Sequence, residues 1–147
     1  MSHYYWDWLK NDQALEIAEW TYDPPLDSLD LQEDDEALDH FLNPFNWRNR
    51  FAVFKDDFLL GYIDFQLESE SVANLFIQCS PEFIGQGEGM ALAQAAQEIV
   101  EKHYALGELR AKVLPFSPAG ERLCEKMNGK RIDNDRDVFY IWTFNRF

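Results

Sequence analysis

Between residues 90 and 105 the apolar side chains recur at helical spacing. Leu92, Ala95, Ala96, Ile99 and Val100 share one face, and Gln94, Gln97, Glu98, Glu101 and Lys102 the other. Gly107 follows as the expected helix stop. Upstream the pattern shortens to β-type runs: "RFAVFKD" (50–56), "FLLGYIDFQLE" (58–68) and "SVANLFIQCS" (71–80). Asp56-Asp57 sits between the first two as a hairpin turn, and Pro81 closes the third. Earlier still, "HYYWDWL" (3–9) predicts a first strand. "NDQALEIAEWTY" (11–22) predicts a short helix capped by Asn11 or Asp12, and "QEDDEALDHFLN" (32–43) a second helix ended by Pro44. After Gly107, "LRAKVLPF" (109–116) predicts a strand. Ser117 and Pro118 open a helix closed by Asn128-Gly129, and residues 130–144 form two strands around Asn134-Asp135. The predicted order is β-α-α-β-β-β-loop-α-β-α-β-β in one domain, 1–147, with no linker or repeat dividing it.

The loop in that order holds the chemistry. Gly85, Gly87 and Gly89 alternate just before the 90–105 helix, three of the chain's seven glycines. A turn needs one glycine. Alternate bare positions let a ligand approach the backbone, and a helix start offers amides to an anion. A phosphate loop of the GxxxxGK type is excluded, because no Lys lies between Lys55 and Lys102. A dinucleotide fingerprint needs glycine where Met90 stands, which argues against a nucleotide-dependent oxidoreductase.

Charge narrows the partners. The net charge of −14 opposes binding to nucleic acid or to anionic membrane. Residues 1–40 hold twelve Asp and Glu against Lys10 alone, a balance of −11 that leaves only −3 for the rest. Such a segment is either a solvated face or a field that draws a cation. Two cysteines and three scattered histidines give no metal-ligand spacing, so no metal is expected. The N-terminus lacks a signal-peptide pattern and no apolar run reaches a membrane span, so the expected location is cytoplasmic.

The segment "IQCSPEFIGQGEGMAL" (77–92) resembles the acetyl-CoA loop of the GNAT superfamily of N-acetyltransferases, in which a strand leads through R/Q-x-x-G-x-G/A into a helix. Gly87 and Gly89 match the two glycines, Gly85 a frequent extra one, and the element order matches along essentially the whole chain. The leading Arg or Gln position is taken by Ile84, where the family chiefly uses the backbone amide. The resemblance implies an α/β (α+β) fold with a mixed, mostly antiparallel, twisted sheet of about seven strands and about four flanking helices. It implies acetyl-CoA as co-substrate, held by Ile77, Cys79, Ile84, Gly85, Gln86, Gly87, Glu88, Gly89, Met90 and Ser117. It further implies direct acetyl transfer to a primary amine in a ternary complex, the Cys79 N–H polarising the thioester carbonyl.

Two departures bear on catalysis. In "SPAGERLCEKMNG" (117–129) Cys124 stands where the family commonly has a tyrosine acid; it is either the proton donor to departing CoA or a small apolar filler. No acidic residue falls on the family's usual general-base position near Ser71–Asn74. The acceptor side is implied to be roofed by the first two helices, with Glu16, Glu19, Trp20, Tyr22 and Asp23 as lining for a small-molecule or peptide amine, cationic in character. The competing class is a non-catalytic acyl-CoA-binding module on the same fold. The aromatic end "DVFYIWTFNRF" suits either an intramolecular sheet or pairing across a homodimer.

Overall fold

A computed structural model of the chain describes residues 2–113, 118–134 and 137–144. Among them run β1 (Tyr4–Trp8), α1 (Asn11–Ala18), α2 (Asp35–Leu42), β2 (Arg50–Lys55), β3 (Phe58–Leu67), β4 (Val72–Cys79), α3 (Gly89–His103), β5 (Glu108–Val113), α4 (Pro118–Lys126), β6 (Lys130–Asn134) and β7 (Asp137–Thr143). The strands make one seven-stranded sheet in the order β1-β2-β3-β4-β5-β7-β6. β4 and β5 are parallel, while β1–β2, β5–β7 and β6–β7 are antiparallel. The element order is the one read from the sequence, and the mixed sheet is the one the resemblance implies. Among the described residues, no helix is long and apolar enough to cross a membrane.

Backbone proximity groups the chain into two units, Met1–Ile63 with Gln78–Glu88 and Asp64–Ile77 with Gly89–Phe147. In the first, β2 turns into β3 at Asp56-Asp57, and Asp56 takes the left-handed φ of 54° that a two-residue hairpin demands. β1 lies on β2 in the register Tyr4↔Lys55 to Trp8↔Phe51. Phe51, Leu60 and Ile63 are fully buried here. α1 adds Ala14, Ile17 and Ala18 to the interior, and α2 adds Phe41 edge-on to Tyr62 with ring centroids 5.3 Å apart.

In the second unit α3 buries the face read from its periodicity: Leu92, Ala95, Ala96, Ile99 and Val100. Each large aliphatic among them contributes about 1.5–3 kcal/mol by leaving water. α4 closes through Asn128 at φ 63°, with the Gly129 N–H donating to the Cys124 carbonyl at 3.0 Å. A Cβ on Gly129 would lie 2.8 Å from the Trp142 ring, so glycine is required by close approach.

Three boundaries differ from expectation. α1 is capped at Lys10, whose N–H donates to the Gln13 Oε1 at 3.0 Å, and it ends at Ala18 before Trp20 and Tyr22. α2 starts late, at Asp35, because Asp34 accepts from the Ala37 N–H at 3.1 Å; Leu31–Glu33 is a separate 3-10 turn. Gly107 is not the stop of α3, which ends at His103. Its N–H donates to the Ser71 carbonyl at 2.8 Å, where a Cβ would sit 3.7 Å from that oxygen.

Candidate functional site: the glycine loop and the end of β4

The loop leaves β4 at Cys79. The Ser80 N–H donates to the Leu60 carbonyl of β3 at 2.7 Å, and Pro81–Phe83 make a 3-10 turn. Gly85 and Gly87 then adopt φ of 77° and 76°. A side chain in that region costs about 1–2 kcal/mol per residue, so conformation fixes glycine at both positions. A Cβ at either would meet nothing within 4 Å, so the backbone is open on that side. Gly89 is different. Its φ is ordinary, and a Cβ there would come 3.3 Å from the Leu123 side chain of α4, so a small residue suits the tight helix packing.

The amides divide into two sets. Ile84 N–H donates to the Pro81 carbonyl at 3.4 Å and Gln86 N–H to the Phe83 carbonyl at 3.3 Å. Within residues 1–63 and 78–88, no described backbone carbonyl accepts from the N–H of Gly85, Gly87 or Glu88. The amides of the loop are therefore not all bare. The turn takes up alternate N–H groups through long bonds, and the left-handed glycines turn the others away. The Gln86 side chain also works for the loop, donating to the Glu82 carbonyl at 2.7 Å.

Glu88 enters the candidate site for its backbone, yet its side chain is anchored. It is 8% exposed; Oε1 lies 2.5 Å from Lys55 Nζ, and Oε2 accepts from the Tyr4 hydroxyl at 2.9 Å. The Lys55 ammonium, first, holds this carboxyl below the usual range against the opposing effect of burial. Lys55 also lies 5.8 Å from the Phe83 ring centroid and 5.9 Å from that of Tyr4.

At the end of β4 the structure brings three residues together. The Tyr22 hydroxyl donates to the Cys79 carbonyl at 2.5 Å and accepts from the Gln78 Nε2 at 3.0 Å. A peptide's C=O and N–H point opposite ways, and the Ser80 N–H faces β3. The Cys79 carbonyl therefore faces away from β3, and Tyr22 caps it there. Burial pushes the Tyr22 phenol well above its ordinary value. Cys79 itself is half-buried rather than fully enclosed, and burial, then the Glu88 charge, pushes its thiol up to about 11.

β4 pairs in parallel with β5 from Val72↔Glu108 to Leu75↔Ala111, and runs on past that last pair to Cys79. Ile77 and Met90 are half-buried and Ile84 is exposed. Ser117 lies outside the described residues. Among the acceptor residues, Trp20 and Tyr22 are buried, while Glu16, Glu19 and Asp23 are exposed. Trp20 packs toward Tyr62, with centroids 6.4 Å apart, instead of facing solvent. The Glu16 carboxyl is held above its ordinary value, by partial burial first and then by the charge of Glu82. Cys124 is half-buried on α4. Burial and the charges of Glu125 and Glu121 push its thiol up to about 11.

Sequence reasoning missed Lys55, Tyr4, Gln78 and Glu82. One signal was present: a glutamate inside an anion-binding motif calls for a compensating cation. Nothing local identifies that cation as Lys55, or joins Gln78 to Tyr22.

No family model and no curated protein sequence matches this chain. Solved structures do. The N-acetyltransferase PseH of Campylobacter jejuni, in complex with acetyl coenzyme A, is 16% identical over 99% of this chain and 100% of its own, with a TM-score of 0.71. A GNAT-family acetyltransferase of Bacillus anthracis is 19% identical over 95% of this chain and 94% of its own, TM-score 0.72. A variant of the spermidine N-acetyltransferase SpeG of Vibrio cholerae is 15% identical over 95% and 93%, TM-score 0.70. The chain has the fold of the GNAT N-acetyltransferases.

Proposed function

We propose that this protein is a GNAT-family acetyltransferase that moves acetyl from acetyl-CoA to a primary amine. The observation that carries the reading is the pair of left-handed glycines, Gly85 and Gly87, with open space beside them at the entry to α3. Its fold, shared with a protein solved with acetyl coenzyme A, supports the same ligand. The N–H groups of Gly85, Gly87 and Glu88 hold the diphosphate, assisted by Gly89 and Met90 at the first turn of α3. Pantetheine runs along Ile77–Cys79, and the Cys79 N–H polarises the thioester carbonyl.

The chemistry is one addition and one elimination. The neutral amine attacks the thioester carbon, the tetrahedral oxyanion collapses, the C–S bond breaks and CoA leaves as thiolate. The amine loses a proton and the thiolate gains one, so the products are an acetamide and CoA thiol. Cys124 is a weaker donor for that proton than a free thiol, because its folded environment raises its pKa. Tyr22 donates to the Cys79 carbonyl on the same strand edge as the Cys79 N–H and so positions that end of β4. On the acceptor side, Glu16 and Glu82 repel one another, and a cationic amine would relieve that repulsion.

The rival reading is a non-catalytic acyl-CoA-binding module, and the raised Cys124 thiol favours it. Calorimetry with acetyl-CoA, followed by CoA-thiol release against a panel of polyamines, amino sugars and peptide N-termini, separates the two. Micromolar binding with turnover on one amine supports the enzyme. Binding with no turnover on any supports the module, and no binding ends both.

A further inference from the structure

The Glu88 carboxylate is out of place in an anion site. It belongs to the loop whose amides are proposed to receive a diphosphate, between two glycines, and it is 8% exposed. A carboxylate so placed repels a second anion, and low solvent access weakens the screening of that repulsion. The structure also holds its counterweight. Lys55 Nζ lies 2.5 Å from Glu88 Oε1, its side chain 23% exposed and flanked by the Phe83 and Tyr4 rings. Tyr4 completes the arrangement by donating to Oε2 at 2.9 Å. Thus β1 and β2 both meet one side chain of the loop, and the turn before the loop flanks Lys55.

We propose that Lys55 is a positioning residue for coenzyme A: by neutralising Glu88 it converts a loop that carries its own negative charge into one able to hold a diphosphate. The proposal rests on the acetyl-CoA reading above and adds a residue remote in sequence from the glycine motif. It gives the pair two separable roles, a mechanical one that ties the loop to β1 and β2 and an electrostatic one that cancels charge.

Substitutions at the two positions pull those roles apart. Glu88→Gln keeps a hydrogen-bonding side chain of the same shape but removes the repelling charge, leaving Lys55 as a net cation beside the loop. A purely mechanical clamp would lose CoA affinity on this change. Lys55→Met leaves Glu88 uncompensated, and Lys55→Arg retains the charge.

The experiment is calorimetric titration of CoA into the full chain at low salt, with thermal melts to establish folding. The expected results are CoA bound about threefold tighter by Glu88→Gln, about tenfold or more weaker by Lys55→Met, and within about threefold of wild type by Lys55→Arg. The Lys55→Met/Glu88→Gln double variant should recover most of the loss. Weaker binding by Glu88→Gln, or unchanged binding by Lys55→Met, overturns the proposal while leaving the acetyl-CoA reading intact. Should Lys55→Met fail to fold, the sign of the Glu88→Gln change and the double variant's affinity still decide it. Wild-type protein that binds no CoA overturns both.

Discussion

The loop at 84–88 and the acidic segment at 11–33 are both read as ligand-facing, but they are built in opposite ways. The loop offers backbone. Its glycines are exposed and its one charged side chain is turned inward onto Lys55 and Tyr4. The acidic segment offers side chains. Its carboxylates at Glu16, Glu19 and Asp23 are exposed, and its aromatics, Trp20 and Tyr22, are buried. A site made of amides depends on φ values that a single Cβ disturbs. A site made of surface carboxylates spreads its field over many groups, so no one of them is decisive. The loop should therefore be brittle toward substitution and the segment tolerant.

Gly87→Val tests the brittle side and has the largest expected effect. A β-branched residue at φ 76° costs at least about 1–2 kcal/mol, enough to weaken CoA binding about tenfold or more. Because Gly87 is exposed in a loop, the thermal melt should move little. Unchanged affinity in calorimetry would erase the contrast.

Tyr22→Phe comes next. It removes the donor to the Cys79 carbonyl and leaves the Gln78 amide, 4% exposed, without its acceptor. Urea denaturation should register a loss of about 1–3 kcal/mol. In the active protein kcat should fall more than the acetyl-CoA KM rises, because the Cys79 peptide is displaced and the diphosphate loop is not. An equal change in both would place Tyr22 with the loop instead.

The tolerant side predicts smaller numbers. Glu16→Gln with Glu82→Gln should raise KM for a polycationic amine about threefold at low salt. The effect should fade at high salt and CoA affinity should stay unchanged. Glu16 ionises less readily in the folded chain than in the unfolded one. Its charge therefore opposes folding above its folded pKa, and Glu16→Gln should be neutral or slightly stabilising at pH 7, read by urea titration. A rise in CoA Kd would show that the two regions share one ligand.

Cys124→Ala is the smallest. With its thiol at about 11, turnover should drop by about threefold at most. A loss of a hundredfold would restore Cys124 as the acid.

Periodicity made most of the fold legible. The α3 face, the β2–β3 hairpin and the closing strands follow from residue spacing, because helix and strand each repeat on the scale of a few residues. Helix ends were less legible. Lys10 caps α1 in place of Asn11 or Asp12, and Gly107 serves a Ser71 contact rather than a helix stop. A cap depends on which way one side chain turns, and a glycine's reason depends on its neighbour in space.

The site divides along the same line. Three alternate glycines before an amphipathic helix, and the glutamate among them, are sequence facts, and they carry the loop's backbone chemistry because that chemistry is local. What the folded chain alone decided is which distant groups surround the loop. Lys55 reaches Glu88 from 33 residues away and Tyr22 reaches Cys79 from 57, while Trp20 turns inward. Charge compensation and burial act through space, so only the arrangement of the strands and helices could pair these residues.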